Sequence, residues 1–321
     1  MTIHKGYAMQ RFKNILLVLT NHSDEEAIKR AVDIIASNKG RLTIVKVRAK
    51  MPEHVLGRLH TSYNMDVQEL AARAFQKTMH TIMAPLIQQG LDVHGKFLFG
   101  NPFLEIIRQV LRAKHDLVMG TAKKNAFLRT AFFGSTAMHL LRKCPCPVWI
   151  GKPSAPRTYN RIMAAVDPDP VDAARHSLNA RILDLAVSLA RSEQSELHII
   201  HCWRLPMEGT LRAQQEFAED TVDTMIADLR AVHSQRLQKL LDEQNLAGIT
   251  CHIHLLKGRA GRLISEMAAE QDIDLVVMGT VCRTGVAGFF IGNTAEHVLQ
   301  DIHCSVLAIK PEGFTTPVTL E

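Results

Sequence analysis

Asp116 and Asp274, Gly134 and Gly292, and Lys152 and Lys310 are each 158 positions apart, and the residues between them hold that register without a gap. Self-similarity on this length scale is far longer than a solenoid period and implies two copies of one fold in a single chain. Each copy must therefore be something that about half of 321 residues can build, an ordinary domain with its own core.

Within each copy, short apolar runs alternate with amphipathic stretches. Lys13 to Thr20 reads as a buried strand, Asp24 to Asn38 as a helix stopped by Gly40, and Arg41 to Val47 as a second strand. Met65 to Gln89 is a long helical stretch, Val93 to Phe99 a third strand, and Pro102 to Ala113 a helix with proline in its first turn. Leu117 to Gly120, Ser135 to Lys143 and Pro147 to Ile150 supply a fourth strand, a helix and a fifth strand. Asn160 to Asp167, Glu196 to Cys202, Thr250 to Leu256, Ile273 to Met278 and Ser305 to Ile309 repeat the five strands. Alternation of this kind predicts α/β architecture, two tandem doubly wound parallel five-stranded sheets. The domains are placed at 12–153 and 158–311. Pro153 to Pro156 is read as the linker, and residues 312–321 as a tail.

The hydrophobic content of 46% supports a core in both halves. No apolar run approaches the ~18 residues that span a bilayer, and Ile15 to Leu19 is too short for a signal-peptide core, so a soluble cytoplasmic protein without membrane insertion is expected. The formal charge is +6, but Lys and Arg are scattered and carry no nucleic-acid signature, so specific nucleic-acid binding is not expected. Six cysteines lie without the spacing of a disulfide framework and are read as reduced thiols.

One stretch carries chemistry. Asp274 to Thr280 reads as a strand, followed by a glycine-bearing loop and then Gly292-Asn293-Thr294-Ala-Glu296 opening a helix. Glycine lets an anion approach the main chain, and a helix N-terminus offers unpaired N–H groups and a positive dipole end. A phosphate cradle and a plain strand-to-helix turn both fit, and Asn293 with Glu296 fits a capping box. If the first and fourth strands flank the crevice where strand order reverses, Asp167 faces Gly279 across it. Asp167 there suits a ribose, an adenine edge or a metal on phosphates, or it caps a helix beginning near Pro170.

His198, His201, His252 and His254 lie on two strands that, as neighbours, would gather imidazoles with Cys251 or Cys202 within zinc reach. Half-buried histidines without a metal are the commoner arrangement, and no metal is assigned. Cys144-Pro-Cys146 is read as helix termination and strand entry. No constellation for nucleophilic catalysis is present, and the chain is not read as an enzyme.

These motifs resemble the universal stress protein family. The likeness rests on Asp-Leu-Val-Val-Met-Gly-Thr, on Gly292-Asn-Thr-Ala-Glu-His-Val, and on the Cys-x-Val-Leu-Ala-Ile-Lys-Pro ending with its Pro-Val-x-Leu tail; it spans residues 12–321 and is stronger in the second copy. It implies a cytoplasmic stress-survival protein, often dimeric, with ATP bound by some members through Gly-x2-Gly-x9-Gly-Ser/Thr and an Asp after the first strand. Carried over, the nucleotide site of the second copy comprises Asp167, Cys202 at the adenine, Gly279, Cys282, Arg283, Gly292, Asn293 and Thr294. Cys282 stands at the middle Gly and Asn293 at the Ser/Thr. The first copy has Thr20 for Asp167, Thr121 for Gly279 and Lys124 for Cys282, so it is not expected to bind ATP in the family's manner. Lys123, Lys124 and Arg129 suit an anion or a solvated loop. Because family dimers pair through the fifth strand, the two copies are expected to form an internal pseudo-dimer, and a homodimer of chains is open. The resulting expectation is an adenine nucleotide bound weakly as a regulatory ligand. The alternative is an adaptor or carrier for another small or apolar ligand or a protein partner, drawing on an insert from Arg204 to Glu216.

Overall fold

The computed structural model describes residues 12–20, 24–52, 54, 67–122, 133–153, 155–168, 173–213, 219–280 and 292–320. The chain divides into two units. One is built on Ala8–Arg157 and takes in Thr315–Glu321; the other is built on Thr158–Val286 and Phe290–Phe314.

In the first unit β1 (Asn14–Val18), β2 (Arg41–Arg48), β3 (Asp92–Phe99), β4 (Leu117–Thr121) and β5 (Val148–Gly151) form a parallel sheet of order β3-β2-β1-β4-β5. Its helices are α1 (Glu25–Asn38), α2 (Val67–Gln88), α3 (Pro102–Ala113) and α4 (Ser135–Lys143). The second unit repeats the plan with β6 (Arg161–Ala165), β7 (Glu196–Trp203), β8 (Cys251–Lys257), β9 (Leu275–Gly279) and β10 (Ser305–Ile309), in the order β8-β7-β6-β9-β10. Here the helices are α5 (Ala173–Glu193), α6 (Glu208–Ala213), α7 (Glu219–Asp242), α8 (Ala260–Glu270) and α9 (Asn293–Asp301). This is the doubly wound α/β fold that the alternating pattern predicts. Strand order reverses between β1 and β4 and again between β6 and β9, and α6 lies in the Arg204 to Glu216 insert.

The central strands are apolar on both faces, as a parallel sheet covered by helices requires. Ile15, Leu16 and Leu17 are fully buried in β1, as are Leu275, Val276 and Val277 in β9. Each half contains one of the chain's two tryptophans, Trp149 and Trp203, and both are buried.

The repeated aspartates have a structural cause. The Asp116 carboxylate accepts the backbone N–H groups of Lys13 (2.7 Å) and Asn14 (3.0 Å), and Asp274 accepts those of Asn160 (2.7 Å) and Arg161 (3.1 Å). In both halves, a residue leading into the fourth strand ties down the entry of the first. Charge-assisted bonds of this kind are stronger than neutral ones.

One helix stop differs from expectation. The left-handed residue ending α1 is Lys39, with φ of 50°, and Gly40 has another task. A Cβ at Gly40 would lie 2.8 Å from the Lys13 carbonyl oxygen, so glycine is needed for close approach to the main chain leading into β1. The tail also has a defined place in the first unit. Arg108 Nε donates to the Thr319 carbonyl (3.1 Å), Arg112 to that of Leu320 (3.3 Å), and Val318 is buried.

Candidate functional site

The carboxyl ends of β6 and β9 lie side by side, with Ala165 in register with Met278. The chain leaves β6 through Val166 and Asp167, while β9 ends on Gly279. The backbone of Asp167 is clamped by the buried Asn179 on α5: the Asp167 N–H donates to Asn179 Oδ1 (2.9 Å), and Asn179 Nδ2 donates to the Asp167 carbonyl (2.7 Å). A side-chain amide supplies both groups that the strand end leaves unpaired. The reading of Asp167 as a helix cap depends on residues 169–172, which lie outside the described residues.

Cys202, near the end of β7, is half-buried, and its thiol is pushed up to about 12, first by burial and then by the negative charge of Asp167. The fold thus brings Asp167 within electrostatic reach of Cys202, and Cys202 stays a thiol at neutral pH. A neutral sulfur is compatible with an apolar ring edge.

Gly279 meets a helix closely. A Cβ there would sit 2.9 Å from Leu178 Cδ2, so the missing side chain makes room for α5. After it, Thr280 is buried. Its N–H donates to the Ile309 carbonyl (3.3 Å), its carbonyl accepts the Gly292 N–H (3.2 Å), and its hydroxyl accepts from Lys310 Nζ. Thr280 thereby joins the start of α9 to the end of β10.

Gly292, in extended conformation, is the N-cap of α9, and its carbonyl accepts the Glu296 N–H (2.9 Å). Asn293 is the first helical residue, so the capping box with Asn293 as cap does not form. Among the described residues no side chain caps this turn, which is closed by the Gly292 carbonyl. The N–H groups of this turn have no intrahelical acceptor, and the side chains of Asn293 and Thr294 are exposed. Cys282 and Arg283 lie outside the described residues.

The corresponding strand end in the first unit is closed differently. Asp24, almost fully buried, accepts the Thr20 N–H (2.7 Å) and its hydroxyl (3.2 Å), so a carboxylate of the unit itself fills the turn after β1. Ala122 takes the place of Thr280 and offers no hydroxyl, and Lys152 lies over the Phe133 ring, 4.5 Å from its centroid. Lys123, Lys124 and Arg129 lie outside the described residues. Asn179 and Asp24 carry no sequence signal for these roles, and the repeated lysine is the one visible trace of the Thr280–Lys310 bond.

The histidines divide by strand parity. His201 faces α7: its Nδ1–H donates to the Val166 carbonyl (3.2 Å), and its Nε2 accepts from His233 Nδ1 (2.8 Å). Trp203 stacks on the same His233 at 5.6 Å. On the opposite face Glu196, His198, His252 and His254 come together, because His198 is in register with His252. His198 Nδ1 lies 3.1 Å from His254 Nε2, and their rings stack within 7° of parallel. The His198 pKa falls to about 4, mainly through burial and then through His254 and His252. Neither cysteine joins this group. Cys251, one residue before His252, has the opposite parity, and Cys202 lies about 13 Å further along its strand than His198. Elsewhere, Cys144 and Cys146 are buried with sulfurs 3.6 Å apart, and the Cys146 thiol is pushed up by its contact with Cys144 and by burial.

Among the described residues no helix is long and apolar enough to cross a membrane. The family model described as "Universal stress protein family" matches residues 11–152 and again 158–310. Over 97% of this chain and 98% of the relative, the sequence is 27% identical to universal stress protein E of Photorhabdus laumondii. It is 28% identical to universal stress protein E of Escherichia coli K12, with 98% of each chain covered. Among solved structures, a functionally unknown protein from Pseudomonas aeruginosa PAO1 superposes with a TM-score of 0.72 at 23% identity, covering 95% of both chains. A universal stress protein from Archaeoglobus fulgidus does so with a TM-score of 0.57 at 18% identity, covering 95% of this chain and 99% of its own.

Proposed function

The chain belongs to the universal stress protein family as a tandem of two such domains, and from that premise we propose that its second half binds an adenine nucleotide, weakly and as a regulatory ligand, in a protein that supports survival under DNA-damaging or oxidative stress. The observation that carries this reading is that Asp167 and Gly279 follow adjoining strand ends, with Ala165 paired to Met278, and that the Gly292 N–H bonds the Thr280 carbonyl at the start of α9. Ligands of doubly wound sheets lie in such crevices, and a helix N-terminus favours phosphate. In this reading Asp167 holds the ribose, Cys202 borders the adenine, and the backbone at Gly292, Asn293 and Thr294 takes the phosphates, with Cys282 and Arg283 in the intervening loop. The site is read as binding rather than turning over, since no general base for an attacking water can be named among the described residues. The first half, with Asp24 already on Thr20, is left out of nucleotide binding.

One observation favours a second reading, an adaptor or carrier for another small or apolar ligand or a protein partner. Gly279 is accounted for by its contact with Leu178, without any phosphate. ATP titration of the full chain, followed by native mass spectrometry, separates the two. Nucleotide binding predicts one ATP per chain, weakened at least tenfold by Asp167→Ala and strengthened by Cys282→Gly. Indifference to ATP at about 1 mM, the weak end of useful affinity, would leave the adaptor reading standing.

A further inference from the structure

The face of β7 and β8 that carries Glu196, His198 and His252 lies outside the nucleotide crevice, and the proposed function makes no use of it. One donor atom from each of these three residues can be chosen so that all lie within 4.8 Å of one another. His198 is 2% exposed, and its Nε2 is buried without a hydrogen-bond partner. That atom faces the Glu196 carboxylate at 3.8 Å, too far for a hydrogen bond. An orphaned buried ring nitrogen normally costs about 1–3 kcal/mol, so its persistence beside a carboxylate calls for something between them.

From this geometry we infer that Glu196, His198 and His252 form a site for a divalent transition metal of the Zn²⁺ class, with His254 as the residue that orients His198. When His198 Nδ1–H donates to His254 Nε2, the tautomer is fixed and the Nε2 lone pair points toward Glu196. Metal-bound imidazoles are commonly positioned through such a bond at their other nitrogen. Two imidazoles and one carboxylate suit zinc, and a water completes the usual four ligands. Donors on one tetrahedral zinc lie about 3.4 Å apart, so the group must contract. His252 is exposed, so its side chain can make most of that movement, while Glu196 is half-exposed. Arg161 Nε lies 3.2 Å from Glu196 Oε2 and holds the carboxylate in place. A carboxylate has about four lone-pair directions, so the contact leaves room for a metal, although the guanidinium charge opposes one.

The test uses tag-free, full-length protein stripped by a chelator and titrated with Zn²⁺ by calorimetry at neutral pH, with Co²⁺ absorption as a report of coordination. One Zn²⁺ per chain is expected, together with visible Co²⁺ bands of a four- or five-coordinate site. His198→Ala, His252→Ala and Glu196→Gln should each weaken binding at least tenfold, and His254→Ala about tenfold. Should His198→Ala fail to fold, the exposed His252→Ala and Glu196→Gln decide the matter alone. Absence of binding at 100 μM Zn²⁺, or equal binding by the wild type and the His252→Ala/Glu196→Gln double variant, overturns the inference.

Discussion

His198 shows how much one side chain can be governed by its neighbours. Burial and two adjacent imidazoles hold its pKa near 4, below the ordinary 6.5, against the opposing pull of Glu196. In the folded protein it stays neutral while the unfolded chain begins to protonate at about pH 6.5. Its contribution to stability is therefore complete above that value, declines as pH falls, and levels off below about 4. Between pH 7.5 and 5 the loss should be on the order of 2 kcal/mol. Burial and His252 lower His254 as well, which adds in the same direction. Urea unfolding of metal-free protein at the two pH values measures this, and His198→Gln should flatten the difference. A variant that loses as much stability as the wild type would place the pH dependence elsewhere.

At the scale of elements, two glycines look alike in sequence and differ in consequence. A side chain at Gly40 would press on the backbone oxygen of Lys13, which is fixed in the approach to β1. One at Gly279 would press on the end of Leu178, which can rotate. Gly40→Ala should cost about 2–3 kcal/mol and Gly279→Ala about 1 kcal/mol by denaturant unfolding. If Gly279→Ala instead leaves stability unchanged and abolishes the ATP response, its task is phosphate approach. In the sequence Gly40 reads as a helix stop because glycine serves both positive φ and close packing, and only the folded chain separates these uses. Lys39 took the left-handed position. The strands were legible throughout, because β-period and buried apolar runs are local properties. Asp116 and Asp274 were visible as markers of the repeat, while their bonds to Lys13, Asn14, Asn160 and Arg161 required strands about 100 residues apart to meet. That His252 and His254 share a face follows from alternation, whereas the meeting of His198 with His252 depends on the register of the two strands. The partner of His201, His233, depended on the docking of α7, and no short-range pattern carries that information.

At the scale of the whole molecule, Trp149 reports on the first half and Trp203 on the second. Removing residues 315–321 should uncover the site of Val318 and release Arg108 and Arg112, a loss of about 2 kcal/mol dominated by apolar burial. Single-tryptophan variants can follow this by fluorescence during unfolding. The Trp149 transition should move and the Trp203 transition should stay close to its original midpoint; the reverse would mean that the tail supports the other half. The same packing matters during synthesis. A ribosome adding about 5–20 residues per second needs on the order of 10–30 s after Arg157 to produce Thr315–Glu321. Throughout that interval the first domain is a nascent structure lacking its last piece, exposed to chaperones and proteases while its sister is translated. The half that emerges first is therefore the half completed last.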